Sequence, residues 1–143
     1  MEFNPLVGPV VALVVWTIIV LLWFATLLFA GIAKNGMNAP DGTRVRDITQ
    51  LPHAIQWKNH NYMHLMEQPT IFYAVVFALI VMGDTNALNL TLAWGYVGLR
   101  VLHSLVQATV NKVPIRLVLF LASTVCLVGL ALHAALTAWA HLA

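Results

Sequence analysis

Apolar residues fall into four long runs along the 143-residue chain, at about 7–32, 58–82, 88–110 and 114–140. Each can reach the roughly 20 residues that a helical membrane span needs. The pattern predicts an all-α integral membrane four-helix bundle in a single domain. Pro9 and Pro114 fall early enough in the first and fourth runs to occupy a first helical turn, where a missing N–H costs little. Pro69 falls inside the second run, where it removes a backbone bond, frees a carbonyl one turn earlier and predicts a kink beside Glu67. Trp16 and Trp23 lie further into the first run than an aromatic belt would put them, so at least one is expected to pack on another helix.

The polar stretches between the runs are unequal. Residues 33–58 form the one long connection, with turn signals at Asn38-Ala39-Pro40-Asp41-Gly42 and Leu51-Pro52, and it reads as a functional cover rather than a link. Gly83-Asp84-Thr85-Asn86 and Asn111-Lys112-Val113-Pro114 are short, so helices two, three and four are expected to be antiparallel neighbours. Small residues along the fourth run (Ala122, Ser123, Cys126, Gly129, Ala131) allow close helix approach, and further association into an oligomer is expected.

Composition sharpens the class. The chain is 61% hydrophobic and only 8% charged, where soluble domains carry roughly a quarter charged residues. It is read as polytopic, with the lipid bilayer as its first partner. A scattered net charge of +2 gives no reason to expect a nucleic acid. Cys126 is the sole cysteine, which excludes an internal disulfide and a cysteine zinc cluster. The first ten residues carry an acid and lack a basic n-region, so the first run is expected to be a retained helix. Basic residues sit on the first connection (Lys34, Arg44, Arg46, Lys58) and the third (Lys112, Arg116), while Asp84 alone marks the second and Glu2 the N-terminus. By the positive-inside rule the basic connections are cytoplasmic and both termini lie on the other side.

The candidate chemistry lies in the polar residues inside the runs. His60, His64 and Glu67 follow i, i+4, i+7 spacing and share one helical stripe. Arg100, His103 and Gln107 share another, extended by Tyr96 one turn earlier. Lone charges in lipid are costly, so the two stripes are expected to face each other. Three readings compete. Glu67 and Arg100 could form a buried ion pair that fixes helix register, with the histidines as hydrogen-bond partners. His60, His64, Glu67 and His103 could hold a metal, although Arg100 would repel a cation and no second carboxylate is near; no metal site is assigned. Or Arg100, Lys112, Arg116, His103 and His60 could form an anion-binding or thiol-activating pocket at the cytoplasmic edge.

Two segments together carry a family resemblance. One is Glu67-Gln68-Pro69-Thr70-Ile71-Phe72-Tyr73-Ala74; the other is Arg100-Val101-Leu102-His103 followed by Lys112-Val113-Pro114-Ile115-Arg116. In order and spacing they resemble the MAPEG family, membrane-associated proteins in eicosanoid and glutathione metabolism, over nearly the whole chain. The resemblance is to a divergent member of bacterial type; a bacterial inner membrane is the expected location, with an internal eukaryotic membrane left open. It also implies a four-helix protomer assembled as a homotrimer, with glutathione bound between protomers near the cytoplasmic face. The implied activity is that of a glutathione-dependent transferase or peroxidase acting on a lipophilic electrophile. Carried over by position, Glu67, Arg100 and His103 match family residues that bind glutathione. His60 and His64 become further contacts, and Arg116 becomes the residue that stabilises the thiolate.

The chain also departs from the family pattern. Arginines one and two turns before the glutamate, and an asparagine three residues before it, are replaced among His60, Met63 and His64. A tyrosine seven residues after the third-helix arginine is replaced by Gln107. These exchanges leave a second reading open. The chain would then be a non-catalytic member of the fold that binds a lipid, pigment or quinone, or serves as a subunit of a larger membrane complex.

Overall fold

The computed structural model describes residues 3–35 and 52–142. They form four helices: α1 Val7–Asn35, α2 His53–Val81, α3 Ala87–Thr109 and α4 Val113–Leu142. Most of the long connection, with Arg44 and Arg46 and the cover expected of it, lies outside the described residues.

Local chemistry fixes the helix ends. Pro52 stands at the N-terminal boundary of α2 with an extended backbone, and its carbonyl accepts the N–H groups of Ile55 and Gln56. The helix therefore begins at His53, inside the stretch assigned above to the long connection. It continues unbroken through Pro69 to Val81. It ends at Gly83, whose φ of 74° is a left-handed conformation that glycine adopts without steric cost. There the Gly83 N–H returns to Ile80 O and the Asp84 N–H to Leu79 O, both at 3.0 Å, so the last carbonyls of α2 are satisfied. Asp84 then accepts the Asn86 N–H at 2.8 Å, and Asn86 caps α3 by accepting the Leu88 N–H at 2.9 Å. At the other end of α3, Asn111 takes the left-handed conformation (φ 49°) and its N–H returns to Val106 O at 2.7 Å.

Among the described residues helices α3 and α4 form the most extensive pair, and α1 packs on α2 and α3, with no close backbone approach to α4. The α3–α4 approach is close where α4 is small: a Cβ added at Gly129 would lie 3.1 Å from Leu92 Cδ1. The shared core takes Leu13 and Val20 from α1, Phe72, Val76 and Leu79 from α2, Tyr96 and Val97 from α3, and Leu127 and Leu130 from α4. Phe72 and Tyr96 stack at 4.4 Å at its centre. Both deep tryptophans of α1 engage other elements: Trp16 packs against this core, and the Trp23 ring lies 4.6 Å from Lys58 Nζ.

The distribution of polarity is the reverse of that in a water-soluble bundle. Val15, Ile18, Leu22, Leu117, Val118, Leu121 and Val125 are exposed along the outer faces, while Asn61, Asn89, Arg100, Ser104, Gln107 and Ser123 are buried. Contiguous apolar surface of this extent calls for a covering that is not water. Three helices, α1, α2 and α4, are long and apolar enough to cross a membrane. The fourth expected span, α3, is a helix of 23 residues. The buried polar residues of α3 (Asn89, Tyr96, Arg100, His103, Ser104, Gln107) make it less apolar than a lone span requires, and its neighbours shield them.

Candidate functional site

The polar stripe predicted for α3 is buried as a unit: Tyr96, Arg100, His103 and Gln107 all face the bundle interior. The stripe predicted for α2 is not its counterpart. His60 and Glu67 are exposed, and the buried polar side chains of α2 are Lys58, Asn59 and Asn61. The Glu67–Arg100 pair, one of the three readings of the cluster, is therefore absent among the described residues. Glu67 instead lies 3.2 Å from Nδ1 of His64, one turn back, with its side chain 62% exposed. Geometry explains the offset: rows 60/64/67 and 58/61/65 both satisfy helical spacing, and packing against α3 selects the second.

The residues that meet the α3 stripe build a connected network. Asn61 Nδ2 donates to Ser104 Oγ at 2.7 Å. Lys58 Nζ donates to Ala54 O and Ala108 O, each at 3.1 Å, and so ties α2 to the carbonyl-rich C-terminal end of α3. Gln68, next to Glu67 in sequence, donates to Thr124 Oγ1 at 3.0 Å and accepts from Tyr96 Oη at 3.4 Å. Arg100 Nε donates in turn to Tyr96 Oη at 3.2 Å, and its guanidinium lies 5.1 Å from the Phe120 ring. Arg100 Nη2, Gln107 Oε1 and Asn61 Oδ1 are buried without a hydrogen-bond partner. Of these, Lys58 was legible in the sequence as a basic residue that could substitute for the missing arginine anchors, whereas Asn61, Gln68 and Phe120 did not stand out as site residues. Phe120 was detectable as the i+4 neighbour of Arg116, and Gln68 as the polar residue beside Glu67.

Where α2, the end of α3 and the start of α4 meet, a cleft of about 220 Å³ is lined by His64, His103, Val113, Arg116, Leu117 and Phe120. Its charge comes from Arg116, a residue singled out in the sequence. Arg116 Nη1 donates to Asn111 Oδ1 at 2.6 Å, held there by the left-handed turn, while its Nε is buried without a partner. His64 and His103 meet edge-to-face at 6.2 Å, and Phe120 packs beside His103 at 6.4 Å. Arg100 stands behind Phe120 rather than in the cleft wall. Of the six expected site residues, the structure thus brings His64, His103 and Arg116 together. Glu67 is attached through His64, Arg100 is placed behind an aromatic ring, and His60 is left on the outer face. No group of three or more metal-ligating side chains gathers among the described residues.

The cleft is a cationic, aromatic-walled recess at the basic end of a membrane bundle, with no carboxylate in its lining. A MAPEG family model matches residues 6–136, nearly the whole chain. The chain belongs to the MAPEG family. No curated protein and no solved structure matches it. Membership makes this a multi-pass membrane protein of a family whose members include glutathione-dependent transferases and peroxidases.

Proposed function

We infer that this MAPEG protein is a membrane glutathione-dependent transferase or peroxidase that acts on lipophilic electrophiles at the Arg116 cleft. The observation that carries the reading is the unpaired, buried Nε of Arg116 in a recess lined by two histidines and no carboxylate. Such a recess favours an anion, and a guanidinium beside a thiol favours the thiolate that attacks an electrophile. His64 and His103 are the further contacts, His64 oriented by Glu67. Arg100, held behind Phe120, acts as a positioning residue.

At about 220 Å³ the cleft falls below the roughly 300–1,000 Å³ of complete small-molecule pockets. A tripeptide thiol therefore needs a second wall, and on this reading the wall is a neighbouring copy in a homotrimer. The exposed His60 and Glu67, with half-buried His64 between them, would then be covered by that copy. The basic end of the bundle faces the cytoplasm of a bacterial inner membrane, and both termini face the other side.

The test is calorimetric titration of glutathione into the detergent-purified protein, beside Glu67→Gln and Arg116→Ala, with turnover of a lipophilic electrophile measured in parallel. Saturable binding that both substitutions weaken, with turnover abolished by Arg116→Ala, is the expected result. No heat at several millimolar glutathione would overturn it. One observation favours the second reading, a non-catalytic member binding a lipid, pigment or quinone or serving in a larger complex. Gln107 stands where the family tyrosine is expected and is buried away from the cleft. In that case an apolar ligand or partner copurifies and Arg116→Ala leaves it in place.

A further inference from the structure

At the opposite end of α3 a second cluster has no part in the reading above. Asp84 in the α2–α3 turn, Asn86 and Asn89 at the start of α3, and His133, Leu136 and Thr137 near the end of α4 line a cavity of about 170 Å³. Asn89 is almost fully buried, with both ends of its amide engaged. Its Nδ2 donates to Asp84 Oδ2 at 3.1 Å, and its Oδ1 lies 2.6 Å from His133 Nδ1.

These contacts determine the protonation pattern. A carboxylate only accepts, so the amide nitrogen of Asn89 must face Asp84 and the amide oxygen must face His133. His133 Nδ1 must therefore donate, and the lone pair of the neutral ring is on Nε2. Among the described residues Nε2 has no hydrogen-bond partner, and no cation pairs with Asp84. Thr137 Oγ1 is likewise without one. The lining residues thus offer three acceptors, the Asp84 carboxylate, one imidazole nitrogen held in one tautomer and a hydroxyl oxygen, beside the Asn86 amide, whose Oδ1 is taken by the Leu88 N–H.

We propose that this cavity is a binding site for a primary ammonium group. An –NH₃⁺ has three N–H donors and no acceptor, which matches the three acceptors in number and the Asp84 charge in sign. An anion is disfavoured by Asp84. A structural transition metal takes four strong ligands, and the cavity offers two, Asp84 and His133. The volume suits a group of a few heavy atoms. The ammonium can belong to a soluble amine or to an ethanolamine lipid headgroup. The cavity lies at the end of the membrane-crossing helices, with exposed Leu136 on its rim.

The experiment uses the full chain, ¹⁵N-labelled at histidine, in nanodiscs of phosphatidylcholine, whose quaternary headgroup has no N–H. The His133 Nε2 resonance is assigned by its loss in His133→Gln and followed at a pH where the ring is neutral. Ethanolamine is expected to move it saturably and choline to leave it in place. Asp84→Asn is expected to weaken the ethanolamine response at least tenfold with helicity retained. Substituting phosphatidylethanolamine for part of the lipid tells the sources apart. Movement without added amine assigns the headgroup, and movement only with ethanolamine assigns a soluble amine. Equal responses to choline and ethanolamine, no response to either, or an unchanged affinity in Asp84→Asn overturns the proposal. A shift with Zn²⁺ alone overturns it in favour of a metal. Should Asp84→Asn fail to fold, the ethanolamine–choline contrast in the native chain decides.

Discussion

Replacing Arg100 with methionine tests whether this buried charge holds the fold together. Arg100 is 1% exposed and has no carboxylate partner among the described residues. Its visible attachments are one hydrogen bond to Tyr96 Oη and two ring contacts, to Tyr96 at 5.5 Å and Phe120 at 5.1 Å. Methionine would forfeit a charge-assisted hydrogen bond of about 1.5–3 kcal/mol. It would also forfeit cation–π terms of about 0.5–2 kcal/mol. Against this, burying an unpaired guanidinium costs several kcal/mol, and an apolar side chain of similar length removes that cost. The opposing contributions are of one size, so Arg100→Met is expected to change stability by less than about 2 kcal/mol in either direction. Reversible unfolding of the ligand-free protein in mixed micelles of rising dodecyl sulfate fraction, followed by circular dichroism, measures this. A loss above about 4 kcal/mol would refute the reasoning, because breaking a satisfied buried pair costs about 3–5 kcal/mol. Arg100 would then have an anionic partner outside this chain.

Two other substitutions test the packing that positions the cleft. Lys58→Met removes both donations to Ala54 O and Ala108 O while keeping a similar stem. It should cost about 1–3 kcal/mol and shift the fluorescence of Trp23, beneath the ammonium; unchanged stability would show that the cap contributes nothing. Gly129→Leu pushes side-chain volume against Leu92, already 3.1 Å from an added Cβ, and should cost about 1–3 kcal/mol in the same unfolding assay. Gly129→Ala should be milder, since the far end of Leu92 can rotate away; equal losses for the two would mean that α3 and α4 do not meet as closely as described.

The four helices and the α3 stripe were legible because each rests on a single unambiguous period. Tyr96, Arg100, His103 and Gln107 are the strongly polar residues of one α3 face, and no competing row exists on that stretch. Helix α2 carried two rows at helical spacing, 60/64/67 and 58/61/65, and sequence spacing cannot choose between them. Titratable residues drew attention to His60, His64 and Glu67, whereas the row that meets α3 is marked by Lys58 and by the neutral amide of Asn61. Helix α2 starts ahead of the apolar run at 58–82 for a related reason: His53 to Trp57 is too polar to extend that run, yet Pro52 supplies a good helix start. The Asp84–Asn89–His133 chain joins residues 44 and 49 positions apart across two helices, and no local pattern in either helix points to it.

The outward row on α2 has a consequence for the cleft. Glu67 stands midway along His53–Val81, largely exposed, with the His64 ring 3.2 Å from its carboxylate. An acidic side chain near the centre of a lipid-facing helix is disfavoured by about 2.5–3.5 kcal/mol on insertion scales. The apolar neighbours Met66 and Ile71, 49% and 55% exposed, would meet lipid at no such cost. A helix that alternates this way does not present Glu67 to hydrocarbon; it presents it to water or to protein. The Arg116 cleft opens beside the same row, through His64. A covering surface that satisfies Glu67 would therefore also close the cleft, and the histidine at position 60 would be read by that surface, while His64 also meets His103 of this chain.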